Sequence, residues 1–242
     1  MLRQVQDSLL ALVFPRACSV CGSEVDSHDY GSACGACWKE TRLISDNRSA
    51  CPKCGLKLHA RSAGSTSLCH RCDEHFYDIA RSAAFYEKAV KSAVLDLKKT
   101  PKLARLAGEI LYARFVNSEF YPFDLIVPVP LSRKRMLERG FNQAEILGRH
   151  LGDRTGIELR TDVLIRSAHT QIRRDGMDRK ARAMSVQRAF EVTNREMVRR
   201  GRVVLIDDVF TSGATASACS EVLKKAGAAE VGVLTLARTP FV

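Results

Sequence analysis

The chain has 242 residues and a mass of 26.8 kDa, with 45% hydrophobic and 27% charged residues. That apolar content supports a core and excludes an intrinsically disordered polymer. The net charge is +11, of which +8 lies between residues 132 and 200, against +1 over 1–75, +2 over 76–131 and zero over 201–242. The central stretch is rich in arginine, whose planar fork suits phosphate oxygens. Solvated helix faces are the competing reading of the same charge.

Leu2, Val5, Leu9 and Leu12 follow helical spacing, so residues 2–14 are predicted to form an amphipathic helix. The apolar run from Leu9 to Phe14 is only six residues, far below the roughly 20 of a membrane span. No membrane role is expected, and the predicted compartment is the cytoplasm.

Eight of the nine cysteines follow as four C-x-x-C pairs: Cys18/Cys21, Cys34/Cys37, Cys51/Cys54 and Cys69/Cys72. Two thiolates on a tight turn grip one metal ion, and a second such turn completes a tetrahedral sulfur site. Two structural Zn2+ ions are expected, in preference to disulfides, iron or redox chemistry. Grouping neighbours puts Cys18, Cys21, Cys34 and Cys37 on one ion and Cys51, Cys54, Cys69 and Cys72 on the other. A cross-braced pairing, first pair with third, satisfies the spacing equally. Eight thiolates saturate two ions, so His28, His59, His70 and His75 are read as surface residues. No coordination position remains for a catalytic water, which makes this segment scaffold or docking surface. Two domains are expected: 1–75, helix plus metal module, and 76–242, the larger domain.

Residues 79–86 read as a strand, and Ala89–Lys98 and Lys102–Val116 as helices, the second started by Pro101. Asp124–Pro130 reads as a buried strand closed by prolines, followed by a basic loop over Ser132–Gly140 and a helix over Asn142–Arg154. Val203–Ile206 reads as a second buried strand, followed by a loop and a helix ending near Gly227, then a strand over Glu230–Ala237. This alternation predicts an α/β fold, a parallel sheet flanked by helices, with ligands at the carboxyl ends of the strands. Cys219, in the last helix, reads as a small buried residue.

The most informative segment is Val203-Val-Leu-Ile-Asp-Asp-Val-Phe-Thr-Ser-Gly-Ala-Thr215. An apolar strand ends in two carboxylates, and a hydroxyl-rich turn opens a helix. Hydroxyls of Thr211, Ser212 and Thr215, with backbone N–H groups through Ala214, can cradle a phosphate at the positive end of a helix dipole. Gly213 permits close backbone approach. Asp207 and Asp208 suit a ribose diol, and can hold a hydrated Mg2+. No Gly-Lys-Ser/Thr follows, which excludes a Walker-type loop.

This segment resembles the phosphoribosyl pyrophosphate (PRPP) signature of type I phosphoribosyltransferases. With the four cysteine pairs, the whole chain resembles the ComF family, in which a double zinc ribbon precedes such a domain. Lys98, Pro128-Val-Pro130, Arg139-Gly-Phe-Asn-Gln143, Thr170-Gln171, Arg179, Arg182 and Ala189-Phe190 match as well. Ser185 departs from the family, where asparagine is expected. The resemblance implies a pyrophosphate-binding loop after Pro130, with Arg133, Lys134, Arg135 and Arg139 near the leaving group. It implies catalytic roles for Asp207, Asp208, Arg133 and Arg139. PRPP contacts fall to Thr211–Thr215, Lys98, Lys134 and Arg135. A hood loop over about 166–187 would close the site. Its Asp175 and Asp178 are candidates for an acid or base, with solvated loop carboxylates as the favoured competing reading. The implied activity is Mg2+-dependent phosphoribosyl transfer to an unidentified acceptor, in the setting of natural competence. The alternative is a non-catalytic sensor or adaptor for single-stranded DNA or a helicase-like partner.

Overall fold

The computed structural model describes residues 15–45, 50–56, 69, 72, 74–118, 122–167 and 189–240. The predicted helix over 2–14, His59, His70 and nearly all of the expected hood loop (168–188, including Thr170, Gln171, Asp175, Asp178, Arg179, Arg182 and Ser185) lie outside the described residues.

A five-stranded sheet, all parallel, organises the chain in the order β1 (Ile79–Phe85), β7 (Glu230–Arg238), β6 (Arg202–Phe210), β2 (Leu125–Pro128) and β3 (Glu158–Leu159). Strands buried on both faces need apolar residues at successive positions, and β6 supplies Val203-Val-Leu-Ile206 at its centre. Alternation divides these side chains between two cores. Val204 and Ile206 join helices α2 (Lys88–Leu97), α3 (Arg105–Val116) and α5 (Gln143–Thr155). Val203 and Leu205 join helix α6 (Ala214–Lys225) and a small antiparallel pair, β4 (Leu164–Arg166) with β5 (Phe190–Val192).

Three sequence expectations need correction. The basic segment after Pro130 is not an irregular loop but a helix, α4 (Arg133–Arg139), capped by Ser132 accepting from the Arg135 N–H and by left-handed Gly140. None of its residues is buried, so no apolar period announces it. Helix α3 starts at Arg105 rather than after Pro101, with Ala104 in extended conformation as its N-cap. Strand β6 continues past Ile206 to Phe210, because its ladder with β7 extends to Phe210 beside Arg238.

The cysteine-rich segment straddles the β1 edge. In its first half, helix α1 (Gly35–Lys39) brings Cys37 and Trp38 into the core shared with α2 and α3. Its second cysteine group lies in the opposite core, with Tyr77, Phe210 and α6. Between the two, the Ile44 N–H donates to the Ala83 carbonyl at 2.9 Å and the Phe85 N–H to the Arg42 carbonyl at 3.0 Å. Farther along, the Ala80 N–H donates to the Lys53 carbonyl at 2.6 Å. These bonds occupy an edge that would otherwise invite pairing with another chain.

Asn142 ties α5 to the sheet. Its side-chain oxygen caps the Ala144 N–H at 3.0 Å, and its amide donates to the Val129 carbonyl at 3.1 Å. Asn142→Ala loses a cap and leaves a buried carbonyl without that donor, so urea unfolding should show a loss of about 1–3 kcal/mol.

Candidate functional site

The carboxyl ends of β2 and β6, the start of α5, the start of α6 and the end of α2 meet at one place. Asp208 has the alternation parity of Val204 and Ile206 and is only 7% exposed. A carboxylate taken out of water needs partners. Lys98, at the end of α2, places Nζ 3.1 Å from its Oδ2, and Gln143 Nε2 donates to the same oxygen at 3.2 Å. Arg139 donates to Gln143 Oε1 at 2.8 Å. A polar chain therefore runs from Arg139 through Gln143 and Asp208 to Lys98.

Asp207 has the parity of Val203 and Leu205, so the two adjacent carboxyl groups leave the strand on opposite faces. Burial, then the nearby Asp208 charge, pushes the Asp207 carboxyl up to about 7. Cys219 is fully buried, and burial raises its thiol well above the ordinary range, which fits an inert packing residue.

The turn beyond β6 carries its hydroxyls outward. Thr211, Ser212, Ala214 and Thr215 are exposed, whereas Gly213 is buried and left-handed at φ +80° as the N-cap of α6. A Cβ on Gly213 would meet Phe210 Cζ at 2.8 Å, His75 Nε2 at 3.2 Å and the Tyr77 hydroxyl at 3.2 Å. The 12-residue helix α6 therefore begins in an exposed turn just after Asp207 and Asp208, with the Ala214 N–H donating to Ser212 Oγ at 3.4 Å. Arg139 and Lys98 join this site through hydrogen bonds, while Arg133, Lys134 and Arg135 stand exposed on α4. Lys134 lies 3.9 Å from Glu138 on its own helix.

The eight paired cysteines form two groups, Cys18/Cys21/Cys34/Cys37 and Cys51/Cys54/Cys69/Cys72, each with all sulfur atoms within 4.8 Å of one another. The sequential pairing holds and the cross-braced one does not. A tetrahedron with metal–sulfur bonds of about 2.3 Å has edges of about 3.8 Å. The observed edges include Cys18–Cys37 at 3.8 Å, Cys21–Cys34 at 3.6 Å, Cys54–Cys69 at 3.7 Å and Cys69–Cys72 at 3.4 Å. The thiols are free rather than disulfide-bonded. In both groups the turn closes with a glycine N–H on the first cysteine carbonyl, Gly22 on Cys18 at 2.9 Å and Gly55 on Cys51 at 2.8 Å.

Charge supports the same assignment at the second group. Zn2+ with four thiolates carries a net double negative charge, and two arginines, each 4% exposed, lie against this knuckle. Arg238 donates to the Cys54 carbonyl and approaches the Cys54 sulfur at 3.6 Å. Arg81 donates to the Pro52 carbonyl at 3.1 Å and the Lys53 carbonyl at 3.4 Å. These two groups are structural zinc sites.

Sequence reasoning missed several residues. Gln143 was visible only as part of a motif, without a role. His75 is not a simple surface residue: it is half-buried and its ring stacks on Tyr77 at 5.1 Å. Arg238 is separated by 184 residues from Cys54, a contact with no local signal. Among the described residues, no helix is long and apolar enough to cross a membrane.

Comparison with known proteins defines the class. Residues 9–73 match the double zinc ribbon domain, and residues 94–240, more than half of the chain, match the phosphoribosyl transferase domain. The DNA utilization protein YhgH of Salmonella typhi is 32% identical over 241 residues, spanning 94% of this chain and 99% of that protein. Competence protein ComFC of Bacillus subtilis is 24% identical over 84% of this chain and 89% of its own length. Competence protein F of Haemophilus influenzae is 38% identical over 117 residues, 48% of this chain and 50% of that protein. Among solved structures, a glutamine PRPP amidotransferase from B. subtilis aligns over 60% of this chain and 30% of its own, at 18% identity and a TM-score of 0.41.

The protein thus joins a double zinc ribbon to a phosphoribosyl transferase domain on one parallel sheet. It belongs to the ComF family.

The raised Asp207 carboxyl has a stability consequence. An unfolded aspartate titrates near 3.9, so the folded state holds this proton more tightly. The stabilisation is complete below about pH 4 and is lost as pH rises through about 7. Asp207→Asn should therefore raise the thermal midpoint of the ligand-free protein at about pH 8, and the difference should close toward about pH 4.

Proposed function

We propose that the protein binds PRPP with Mg2+ where β2 and β6 end, and transfers the phosphoribosyl group to an acceptor of as yet unassigned structure. The observation that carries this reading is the exposed hydroxyl-and-glycine turn Thr211–Thr215, at the N-terminus of α6, directly after Asp207 and Asp208. The turn offers N–H groups and hydroxyls to the 5′-phosphate, while the carboxylates accept from the ribose hydroxyls. The oxygen donors of Asp207 and Asp208 also suit a hard divalent cation. When bound, Mg2+ supplies charge neutralisation on the pyrophosphate.

In the transfer, the bond from ribose C1 to the pyrophosphate oxygen breaks and the electron pair leaves with pyrophosphate. An acceptor atom supplies the new bond to C1. Lys98 and Arg139 hold positive charge beside this centre, Lys98 through Asp208 and Arg139 through Gln143. Arg133, Lys134 and Arg135 supply further positive charge to the departing anion from α4. Thr211 has no carboxyl with which to take the acceptor's proton, so that proton falls to Asp175 or Asp178, the candidate acid or base. The zinc-bearing segment 1–75 serves as scaffold to the domain over 76–242, and the activity is assigned to the cytoplasm.

The curated relatives' names, DNA utilization and competence proteins, favour a second reading. In it the PRPP site is a sensor, and the protein works as an adaptor for single-stranded DNA or a helicase-like partner.

Calorimetric titration of the zinc-loaded protein with PRPP, with and without Mg2+, tests the first reading. Mg2+-dependent binding is expected, and an Asp207→Ala/Asp208→Ala variant should weaken it by about 10- to 100-fold. Pyrophosphate release with candidate acceptors then separates enzyme from sensor. A well-folded protein with no affinity for PRPP would overturn the enzyme reading and leave single-stranded DNA or a protein partner as the ligand of the adaptor reading.

A further inference from the structure

The two zinc clusters are not equivalent in what they touch. The first packs in the core with α2 and α3, where Ser32 N–H donates to Asp96 at 3.2 Å and Ser19 Oγ lies 2.6 Å from Ser92 Oγ. The second lies against the underside of the turn that opens α6.

Three separate links join that second cluster to the turn. Tyr77, 1% exposed, places its hydroxyl 3.9 Å from Cys72 Sγ, and the same hydroxyl limits the space at Gly213. Its ring stacks on His75 and meets Phe210 edge-on at 6.1 Å. His75 Nε2 would stand 3.2 Å from a Cβ on Gly213, and the adjacent Phe76 N–H donates to Ser217 Oγ in α6 at 3.2 Å. Arg238 completes the third link: its guanidinium lies 4.9 Å from the Phe210 ring centroid while it holds the Cys54 carbonyl. The gap lined by Cys54, Cys72, His75, Tyr77, Phe210 and Ser212 has a volume of about 10 Å3, at most one water molecule's room. Close-packed groups of this kind shift together, because neither side has free volume in which to move alone.

We propose that the second zinc cluster and the turn Thr211–Thr215 form one cooperative unit, so that metal held by Cys51, Cys54, Cys69 and Cys72 sets the affinity of the turn for a phosphate-bearing ligand. His75, Tyr77 and Arg238 are its positioning residues. The ligand half of this inference rests on the PRPP reading, and the structural half does not. Linkage makes the coupling reciprocal: ligand on the turn must hold zinc in the second cluster by the same factor that zinc strengthens the ligand.

The test uses the full-length, zinc-loaded chain and follows zinc release to a colorimetric chelator. A Cys21→Ser variant, at the exposed first-cluster thiol, identifies the phase belonging to that cluster. Tyr77→Leu and Gly213→Ala should each speed the second-cluster phase by about tenfold while leaving the first unchanged, and Tyr77→Phe, which keeps the ring contacts but loses the hydroxyl, should fall between Tyr77→Leu and the unaltered protein. Hydrogen exchange of the ligand-free protein should show the Ser217 N–H, bonded to the Gly213 carbonyl at 2.8 Å, and the helical turn after it losing protection in Tyr77→Leu but not in Cys21→Ser. PRPP with Mg2+, and separately inorganic phosphate, should slow the second phase alone.

Equal effects on both phases, or unchanged release together with unchanged exchange in Tyr77→Leu and Gly213→Ala, overturn the proposal. Coupling in release and exchange without any effect of PRPP supports the cooperative unit and sinks the PRPP reading instead. Gly213→Ala and Tyr77→Leu leave all eight ligands in place, and a single phase moved in both variants tests the coupling even where Cys21→Ser does not fold.

Discussion

The arrangement depends on one buried carboxylate. Asp208 sits at the end of the central strand, nearly shut off from water, and such a charge is tolerated only with partners. Those partners come from two helices far apart in sequence, Lys98 at the end of α2 and Gln143 at the start of α5. Satisfying Asp208 therefore brings α2, α5 and β6 to one point. Gln143 in turn holds Arg139, so the basic helix α4 is tethered at its base while the rest stays exposed. Asp207, of opposite parity, accepts from the Asp208 N–H at 2.9 Å, and burial holds its carboxyl above the ordinary aspartate range.

A second constraint is the open edge of β1. An edge strand presents unpaired N–H and C=O groups, and here they are met by the segment between the two cysteine groups and by the second knuckle. That covering forces the two ribbons apart, one into each core. The zinc-bearing segment is thereby built into the packing of the sheet on both faces. Two buried arginines, Arg81 and Arg238, place positive charge where the second cluster is negative.

Much of this was legible in the residue order. The C-x-x-C pairs announce metal because ligand spacing is a local property, and β6 announces itself because a strand buried on both faces must be apolar throughout. The turn Thr211–Thr215 is equally local, a short run of hydroxyls around one glycine. Helix α4 was not legible, since no residue of it is buried and its Arg-rich composition carries no period. Neither was the β4–β5 pair: three residues a side, separated by 23 residues, offer too little pattern. His75 looked like one more histidine in a cysteine-rich segment until Tyr77 and Gly213 came to rest against it.

The sequence by itself determined the zinc chemistry, the parallel α/β class and the residues of the phosphate-type turn. Each of these is written in contiguous residue types or fixed short spacings. Only the tertiary structure decided which cysteines share an ion and which core each ribbon enters. It alone brought Lys98 and Gln143 onto Asp208 and set Arg238 between the second cluster and Phe210. Those are contacts between distant segments, chosen by the need to pair buried charge and to fill space, and neither demand leaves a mark on any one stretch of chain.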